Sequence, residues 1–437
     1  MVWYETIALL LGAVVGLMML GIPVAFAFLL VNVAGVVVFF GGMVGIEQLV
    51  ANATESVTTF ALVPVPLFLL MGEIFFHTGM ALRVFDALDK CFGRLPGRLS
   101  YLTVVGGTLF AALSGSSMAN TAMLGSLMVP EMTSRGYKKH MVIGPILGTG
   151  GLAIIIPPSS LAVLLGSLAR IDIGALLIAG LVPGLLLAMA YVVVIFCQVK
   201  RDPEAAPGYD VARPTAAELV KAVAANILPM GVVVFAVVGL IIVGVATPTE
   251  ASAFGVISVL LLAFVYRCLS WDALTRAVEG TTRVTAMVFL IIIGSSTFSQ
   301  ILTFSGATPG LLGQVTGFDV SPYVMLFFMF LILLFLGMFM DQVSMMLITL
   351  PVFIPLAQSF GFDMVWFGLF LLLGLEVGLV TPPFGLLLFV MLGVGPPDTT
   401  LPDVVWAAVP YILCVFALLL ALAVFPDIAL FLPAAIG

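Results

Sequence analysis

Residues 110–123 read FAALSGSSMANTAM. Ser114, Gly115, Ser116, Ser117, Asn120 and Thr121 gather in the middle of an otherwise apolar run from 100 to 133. Both ends of that run lie beside basic clusters, Arg94 and Arg98 before it and Arg135, Lys138 and Lys139 after it. In a membrane chain such clusters mark the cytoplasmic side. A segment with both ends on one side cannot cross once; it enters and returns. GSSMANT is the place to turn, because irregular backbone at membrane depth is tolerated only where it is buried in protein or lines a cavity. The run 100–133 is therefore expected to be a re-entrant helical hairpin with its tip at 114–121.

Composition supplies the membrane. Of 437 residues, 62% are hydrophobic and 8% charged, against about 25% charged in a soluble domain. Apolar stretches long enough to span a bilayer recur along the chain. The alternation of a β-barrel is absent. The first segment lacks a basic start and an A-x-A-like site, so no signal peptide is expected. Cys91, Cys197, Cys268 and Cys414 show no metal spacing, and His77 and His140 are isolated, which argues against metal- or His-based catalysis.

All 15 Lys and Arg fall between positions 83 and 283. Threading helices under that constraint joins 6–20 and 24–40 at the turn Gly21-Ile22-Pro23. Residues 60–79 cross to a basic loop at 81–98. Residues 142–170 cross outward, broken by GTGG (148–151) and IPPSS (156–160), where paired prolines interrupt a helix. Arg170 and Asp172 then lie outside, and 174–197 returns to the polar loop 198–222. The amphipathic stretches 44–58, 81–98 and 268–282 read as interfacial arms. Trp3, Tyr4, Trp271, Trp366 and Trp406 read as interface anchors.

The plan repeats. At a shift of 225, Pro23, Pro130, Pro157 and Pro158 fall on Pro248, Pro355, Pro382 and Pro383, and Gly136 falls on Gly361. SGSSMANT (114–121) falls on FMDQVSMM (339–346), and IPPSS falls on TPPFG. Each half reads as about five crossings plus one hairpin, and an odd number of crossings inverts the second half. The fold class expected is an all-α polytopic membrane protein of two inverted-topology repeats. The first, 1–215, carries a cytoplasmic-side hairpin at 100–133 and a broken helix at 142–170. The second, 216–437, carries a periplasmic-side hairpin at 322–357 and a broken helix at 364–393. The loop 394–403 fits poorly: it belongs inside yet has no basic residue. Inverted repeats with broken helices meeting near the midplane are the design of secondary transporters.

Broken helices expose carbonyls and N–H groups whose half-helix ends carry partial charge. With Ser, Thr and Asn oxygens they make hard ligands for a cation such as Na⁺. The candidates are Ser116, Ser117, Asn120, Gly150 and Pro157 in the first half, and Gly337, Asp341, Gly378, Thr381 and Phe384 in the second. Ser116, Asn120, Ser295, Ser296, Thr381 and Pro383 are candidates for lining a substrate path; for the GSST run at 294–297, helix packing is an equal reading. Four acids, Glu73, Glu250, Asp341 and Glu376, sit in apolar segments and are functional candidates by position. Glu250 in GVATPTEA (244–251) also reads as a helix cap.

Several stretches together resemble one family: GSSMANTAMLGSLMVPEM (115–132), IPPSS (156–160), IAGLVPG (178–184), GVATPTEA (244–251), MDQVSMMLITLPVFIP (340–355) and GLVTPPFG (378–385). The chain resembles the large membrane subunit of tripartite ATP-independent periplasmic (TRAP) transporters, the C4-dicarboxylate and sialic-acid importer type. The resemblance implies a sodium-driven importer of an organic acid in the bacterial inner membrane. It implies an elevator-type transport domain holding both hairpins and both broken helices, inside a scaffold of the remaining helices. It implies two partners, a small four-helix membrane subunit and a periplasmic substrate-binding protein. Gly337, Gly378, Thr381 and Phe384 match a sodium-site pattern of that family, which also places substrate between the two tips. Two other readings stand beside it. One is a stand-alone sodium/divalent-anion symporter of the same plan. The other is a membrane enzyme using Asp341 and Glu376 as paired carboxylates, which the lack of a nucleophile–base pair disfavours.

Overall fold

The computed structural model describes residues 2–93, 95–208, 215–317 and 320–436. Arg94 and Arg213 of the basic clusters lie outside them. The described residues are helical throughout, with no strand among them. The first half holds α1 (Trp3–Met19), α2 (Val24–Phe39), α3 (Met43–Thr58), α4 (Pro64–His77), α5 (Met80–Cys91), α6 (Arg98–Ser114), α7 (Ser117–Ser134), α8 (Lys139–Gly151), α9 (Ser160–Ala169) and α10 (Ile173–Arg201). The second half begins with a helix carrying two π-turns, α11 (Ala216–Ile242). It continues with α12 (Pro248–Val265), α13 (Trp271–Phe304), α14 (Ala307–Thr316), α15 (Pro322–Gly337), α16 (Gln342–Ser359), α17 (Met364–Leu379), α18 (Leu386–Val394), α19 (Leu401–Val424) and α20 (Asp427–Ile436). Among the described residues, 7 helices are long and apolar enough to cross a membrane.

Element boundaries follow the 225-residue shift closely. Helix α7 shifted by 225 gives the bounds of α16, and the starts of α8 and α17 are 225 apart. Gly136 and Gly361 both end a hairpin with positive φ, at 78° and 72°. Both Pro-Pro peptides, 157–158 and 382–383, are cis. The halves part at α3 and α4. Their counterpart α13 runs unbroken for 34 residues, about 51 Å at 1.5 Å per residue. Pro64 and Pro66 explain the difference: each lacks an N–H and clashes with the carbonyl four residues back, so no α-helix continues through Phe60–Leu62, which forms a single 3-10 turn. Position 268–282 is accordingly no separate arm, as the sequence suggested; from Trp271 it is the base of one long helix.

The helices sort into two groups by their packing. Helices α6–α10 pack with α15–α19, with α8 against α19 and α15 against α17, while α1–α5 pack with α11–α14 around the pairs α13–α4, α13–α2 and α12–α4. The centre belongs to the first halves of the two broken helices. Every residue of Met141–Gly151 and of Trp366–Leu379 is buried. Small residues let neighbours close on them. A Cβ on Gly144 or Gly148 would stand 2.5 Å from the Tyr411 ring. Where the two groups meet, a Cβ on Gly72 of α4 would stand 2.9 Å from the Leu113 carbonyl of α6.

The loop 394–403, which has no basic residue of its own, is tied to the basic face. Lys139 Nζ donates to the Asp398 carbonyl at 2.5 Å and pairs with Asp403 at 3.1 Å. Beside it, Lys138 pairs with Asp202 at 2.5 Å, which holds that carboxyl below its usual range, and its N–H donates to the Ala205 carbonyl. Three loops thus share one face, and the loop 394–403 borrows its positive charge from Lys139. In a cysteine-free background, Asp398→Cys should be labelled by an impermeant thiol reagent from the same membrane side as Arg135→Cys, and Arg170→Cys from the opposite side. Labelling of Asp398→Cys and Arg170→Cys from one side would refute the inverted arrangement.

Candidate functional site

The expected hairpin tip is a two-residue break. Gly115 ends α6 at φ +57°, and Ser116 caps α7 by accepting the Ala119 N–H at 3.4 Å. Gly115 is required twice over. Its conformation favours glycine, and a Cβ would stand 2.9 Å from Ser160 Oγ and 3.1 Å from the Pro158 carbonyl. The tip therefore seats on the broken stretch between α8 and α9, whose Ile155–Ser160 turn, Pro157 included, is buried. Asn120 Nδ2 donates to the Thr149 carbonyl at 3.0 Å. Gly150 lies under Thr121, where a Cβ would fall 1.9 Å from Oγ1. The structure thus brings together Ser116, Ser117, Asn120, Gly150 and Pro157. Five side-chain oxygens here, on Ser114, Asn120, Thr121, Thr149 and Ser160, are buried without a hydrogen-bond partner. Leaving a buried polar group unpaired costs about 1–3 kcal/mol each, and folded chains hold few such groups.

The second tip is built differently. Asp341 caps α16, its Oδ1 accepting the N–H groups of Val343 at 3.0 Å and Ser344 at 3.1 Å, while the Ser344 hydroxyl donates to Oδ2. Gly337 and Gly378 meet backbone to backbone: a Cβ on Gly337 would stand 2.3 Å from Gly378 Cα. Thr381 donates its hydroxyl to the Val377 carbonyl at 2.6 Å and its N–H to the Gly378 carbonyl at 3.1 Å. Pro383 and Phe384 are exposed, and the Phe384 ring lies 5.9 Å from that of Phe339 on the tip. Gly337, Gly378, Thr381 and Phe384 are therefore neighbours. Unlike its counterpart, this break opens outward.

Between the tips stands Glu376 of α17, 5% exposed. Its Oε2 accepts from the Ser117 hydroxyl at 2.7 Å and from Gln342 Nε2 at 2.6 Å. Ser117 and Gln342 are the first residues of α7 and α16, at positions 225 apart, and Glu376 stands 225 after Gly151. Gly151 makes room for it, since a Cβ there would sit 2.6 Å from Glu376 Oε1. That oxygen and the Tyr411 hydroxyl are both buried and unpartnered, and Glu376 and Tyr411 line a cavity of about 20 Å³ with Tyr191 and Gly148. One water needs about 10–15 Å³ measured in this way. Sequence reasoning noted Glu376 only as a buried acid and missed Gln342. The 225-residue shift, which lays Gln342 on Ser117, was the signal that could have found it.

The other candidates scatter. The Ser295 hydroxyl donates to the Leu347 carbonyl at 2.8 Å, tying α13 to the second hairpin. Ser296 lines a cavity of about 490 Å³ with Asn52, Arg170 and Gln300. A second cavity of about 440 Å³, lined by Met287, Ile291, Asp341, Ser344 and the turn at Gly21–Pro23, lies nearer the basic end of α13. On α13, Ile291 lines one cavity and its neighbour Ile292 the other. Glu250 completes a capping box with Thr247, as the sequence suggested, and Glu73 pairs with His77 at 3.2 Å.

These features define a class, an all-helical transporter fold. The chain matches the YdaH transporter of Alcanivorax borkumensis with a TM-score of 0.60 and 14% identity, over 94% of this chain and 97% of that one. It matches MtrF of Neisseria gonorrhoeae with a TM-score of 0.57 and 14% identity, over 89% and 83%. The family follows from sequence. Residues 11–428 match the model of the tripartite ATP-independent periplasmic transporter, DctM component. The C4-dicarboxylate TRAP transporter large permease DctM of Pseudomonas aeruginosa is 33% identical over 90% of each chain. The ectoine/5-hydroxyectoine large permease UehC of Ruegeria pomeroyi is 31% identical over 95% of this chain and 96% of its own. The sialic acid large permease SiaM of Vibrio cholerae is 29% identical over 96% of each. The chain belongs to the DctM family: it is a TRAP transporter large permease, a membrane translocating subunit, and not an enzyme.

Gly337→Ala or Gly378→Ala should separate the second tip from α17, because backbone, not a flexible side chain, blocks the added methyl. Each should abolish uptake and lower the melting temperature in detergent by several degrees, on the order of 1–3 kcal/mol of overpacking. Gly12→Ala, which meets nothing within 4 Å, should do neither. Uptake by Gly337→Ala at the wild-type rate would refute the close approach.

Proposed function

We propose that this permease couples inward movement of an organic acid to Na⁺, with ion sites at the two hairpin tips. One observation carries the reading: the side-chain oxygens of Ser114, Asn120, Thr121, Thr149 and Ser160, on the first tip and the first broken helix, are buried without hydrogen-bond partners. Hydroxyl and amide oxygens freed from hydrogen bonding are suitable ligands for a hard monovalent cation. Ser116, Ser117 and Asn120 with the Gly150 and Pro157 region would hold one ion. Gly337, Asp341, Gly378, Thr381 and Phe384 would hold another, the glycines and Phe384 through their carbonyls. Bound there, Na⁺ supplies positive charge beside an anionic substrate and links uptake to the sodium gradient.

The residues themselves do the positioning. Helices α7 and α16 both start at the tips, at Ser117 and Gln342, and the positive ends of their dipoles favour an anion nearby. The matching boundaries of the two halves support a two-repeat origin, 1–215 and 216–437. The sorting of helices into two groups, with two cavities along α13, supports movement of the hairpin group against the rest. Alternating exposure of the tip region would then follow from a sliding displacement, as in an elevator. Ser295, Ser296, Thr381 and Pro383 would border the substrate path.

Family membership supports two partners, a small four-helix membrane subunit and a periplasmic substrate-binding protein, and location in the bacterial inner membrane. The relatives named for C4-dicarboxylates and sialic acid support an organic acid as substrate. Reconstituted with both partners in liposomes, the chain should take up a loaded C4-dicarboxylate or sialic acid only under an inward Na⁺ gradient. Ser116→Ala and Thr381→Ala should each lower uptake at least about 10-fold, the loss that even an outer-shell partner of a bound ion causes. Uptake without the binding protein would transfer the chain to the stand-alone symporters. Uptake indifferent to Na⁺ and to both substitutions would overturn the sodium reading.

A further inference from the structure

We propose that Glu376 couples the two hairpin tips, so that occupation of one ion site prepares the other. The inference rests on the assignment of ion sites to the tips. Glu376 is a positioning residue: it acts through Ser117 and Gln342 and need not touch an ion.

The geometry is specific. A single carboxylate oxygen accepts one hydrogen bond from each tip, at 2.7 and 2.6 Å, and the two donors occupy equivalent positions, 117 and 342, in the two halves. In the first half the position equivalent to Glu376 is Gly151, which lies against its other oxygen. One acid therefore stands at the meeting point of two matching elements and breaks their equivalence. Among the described residues no Lys, Arg or His pairs with it. Burying a carboxylate without a cationic partner is costly, and here the compensation is the two donated hydrogen bonds and the N-termini of α7 and α16.

Coupling follows from sharing. If either tip turns or withdraws, it frees a buried donor and leaves Glu376 with half of its compensation. An ion that holds one tip in place therefore favours the arrangement the other tip needs. That is a coupling free energy between two sites. The bland reading is a packing bridge that keeps the tips in place whatever the ions do. It predicts loss of stability or of maximal rate with unchanged ion cooperativity.

The test uses the assembled transporter with its small subunit and binding protein. Na⁺ dependence of uptake and equilibrium binding of radioactive Na⁺ are measured for wild type, Glu376→Gln, Ser117→Ala and Gln342→Ala. Glu376→Gln keeps the volume and one acceptor but removes the charge. The expected result is a rise of about 10-fold in half-saturating Na⁺ and a fall of the Hill coefficient toward one. The half-saturating organic acid at saturating Na⁺ should stay unchanged. Gln342→Ala cuts the arm whose donor belongs to neither ion site and should lower the Hill coefficient likewise; Ser117→Ala removes a proposed ligand together with the other arm, and the double variant should lower the Hill coefficient no further. Gln342→Ala serves if Glu376→Gln does not fold. Sodium-dependent wild type, with wild-type Hill coefficients in the variants, overturns the inference and leaves the sodium reading intact. A wild type that ignores Na⁺ overturns both.

Discussion

In a bilayer the backbone has no water to turn to. A helix may break only where other protein groups satisfy what the break releases. Among the described residues, the two hairpins and the two Pro-Pro segments break their helical paths at 115–116, 152–159, 338–341 and 380–385. The architecture follows from that constraint. The breaks are paired so that each tip lies on a broken stretch, Gly115 on Pro158 and Ser160, Gly337 on Gly378. Glycine stands where backbone meets backbone or where φ is positive. Ser116, Ser159 and Asp341 cap the helices that restart. The broken helices α8 and α17 are the most buried elements, enclosed by longer unbroken ones.

The two halves solve the same problem with different chemistry. The first break is buried and crowded with side-chain oxygens that bond to nothing. The second is partly open, its tip capped by a carboxylate and its glycines in backbone contact. Glu376 joins them. A carboxylate in such a place would be unfavourable on an isolated helix, and it is held here by groups brought from two other elements, Ser117 of α7 and Gln342 of α16. The stability of this junction is therefore a property of the assembly of both halves rather than of either one.

Much of this was legible in the residues. Basic clusters at both ends of 100–133 forced a hairpin, and GSSMANT fixed its tip to within a residue. Pro23, Pro130, Pro157 and Pro158 with their partners 225 residues on set the register of the halves. Pro64 and Pro66 held the reason why α4 is cut from α3 while α13 runs through, although the sequence alone reads 44–58 and 268–282 alike as arms. Glu250 was rightly suspected as a cap, because Thr247 three residues before it makes a local pair. What escaped was non-local. Nothing near Gln342 hints at Glu376, 34 residues on, and Lys139 is 264 residues from the Asp403 it anchors.

The sequence by itself determined that the chain is a membrane protein, where its helices break and that its halves correspond. Those properties depend on hydropathy, on the φ restrictions of proline and glycine, and on the sign of charges in loops, all of which act over a few residues. Only the tertiary structure decided which oxygens would be left without partners, that the uncharged loop 394–403 takes its cation from Lys139, and that one acid would serve both tips. These are matters of which surfaces meet at a few ångströms, and the packing of distant helices decides that.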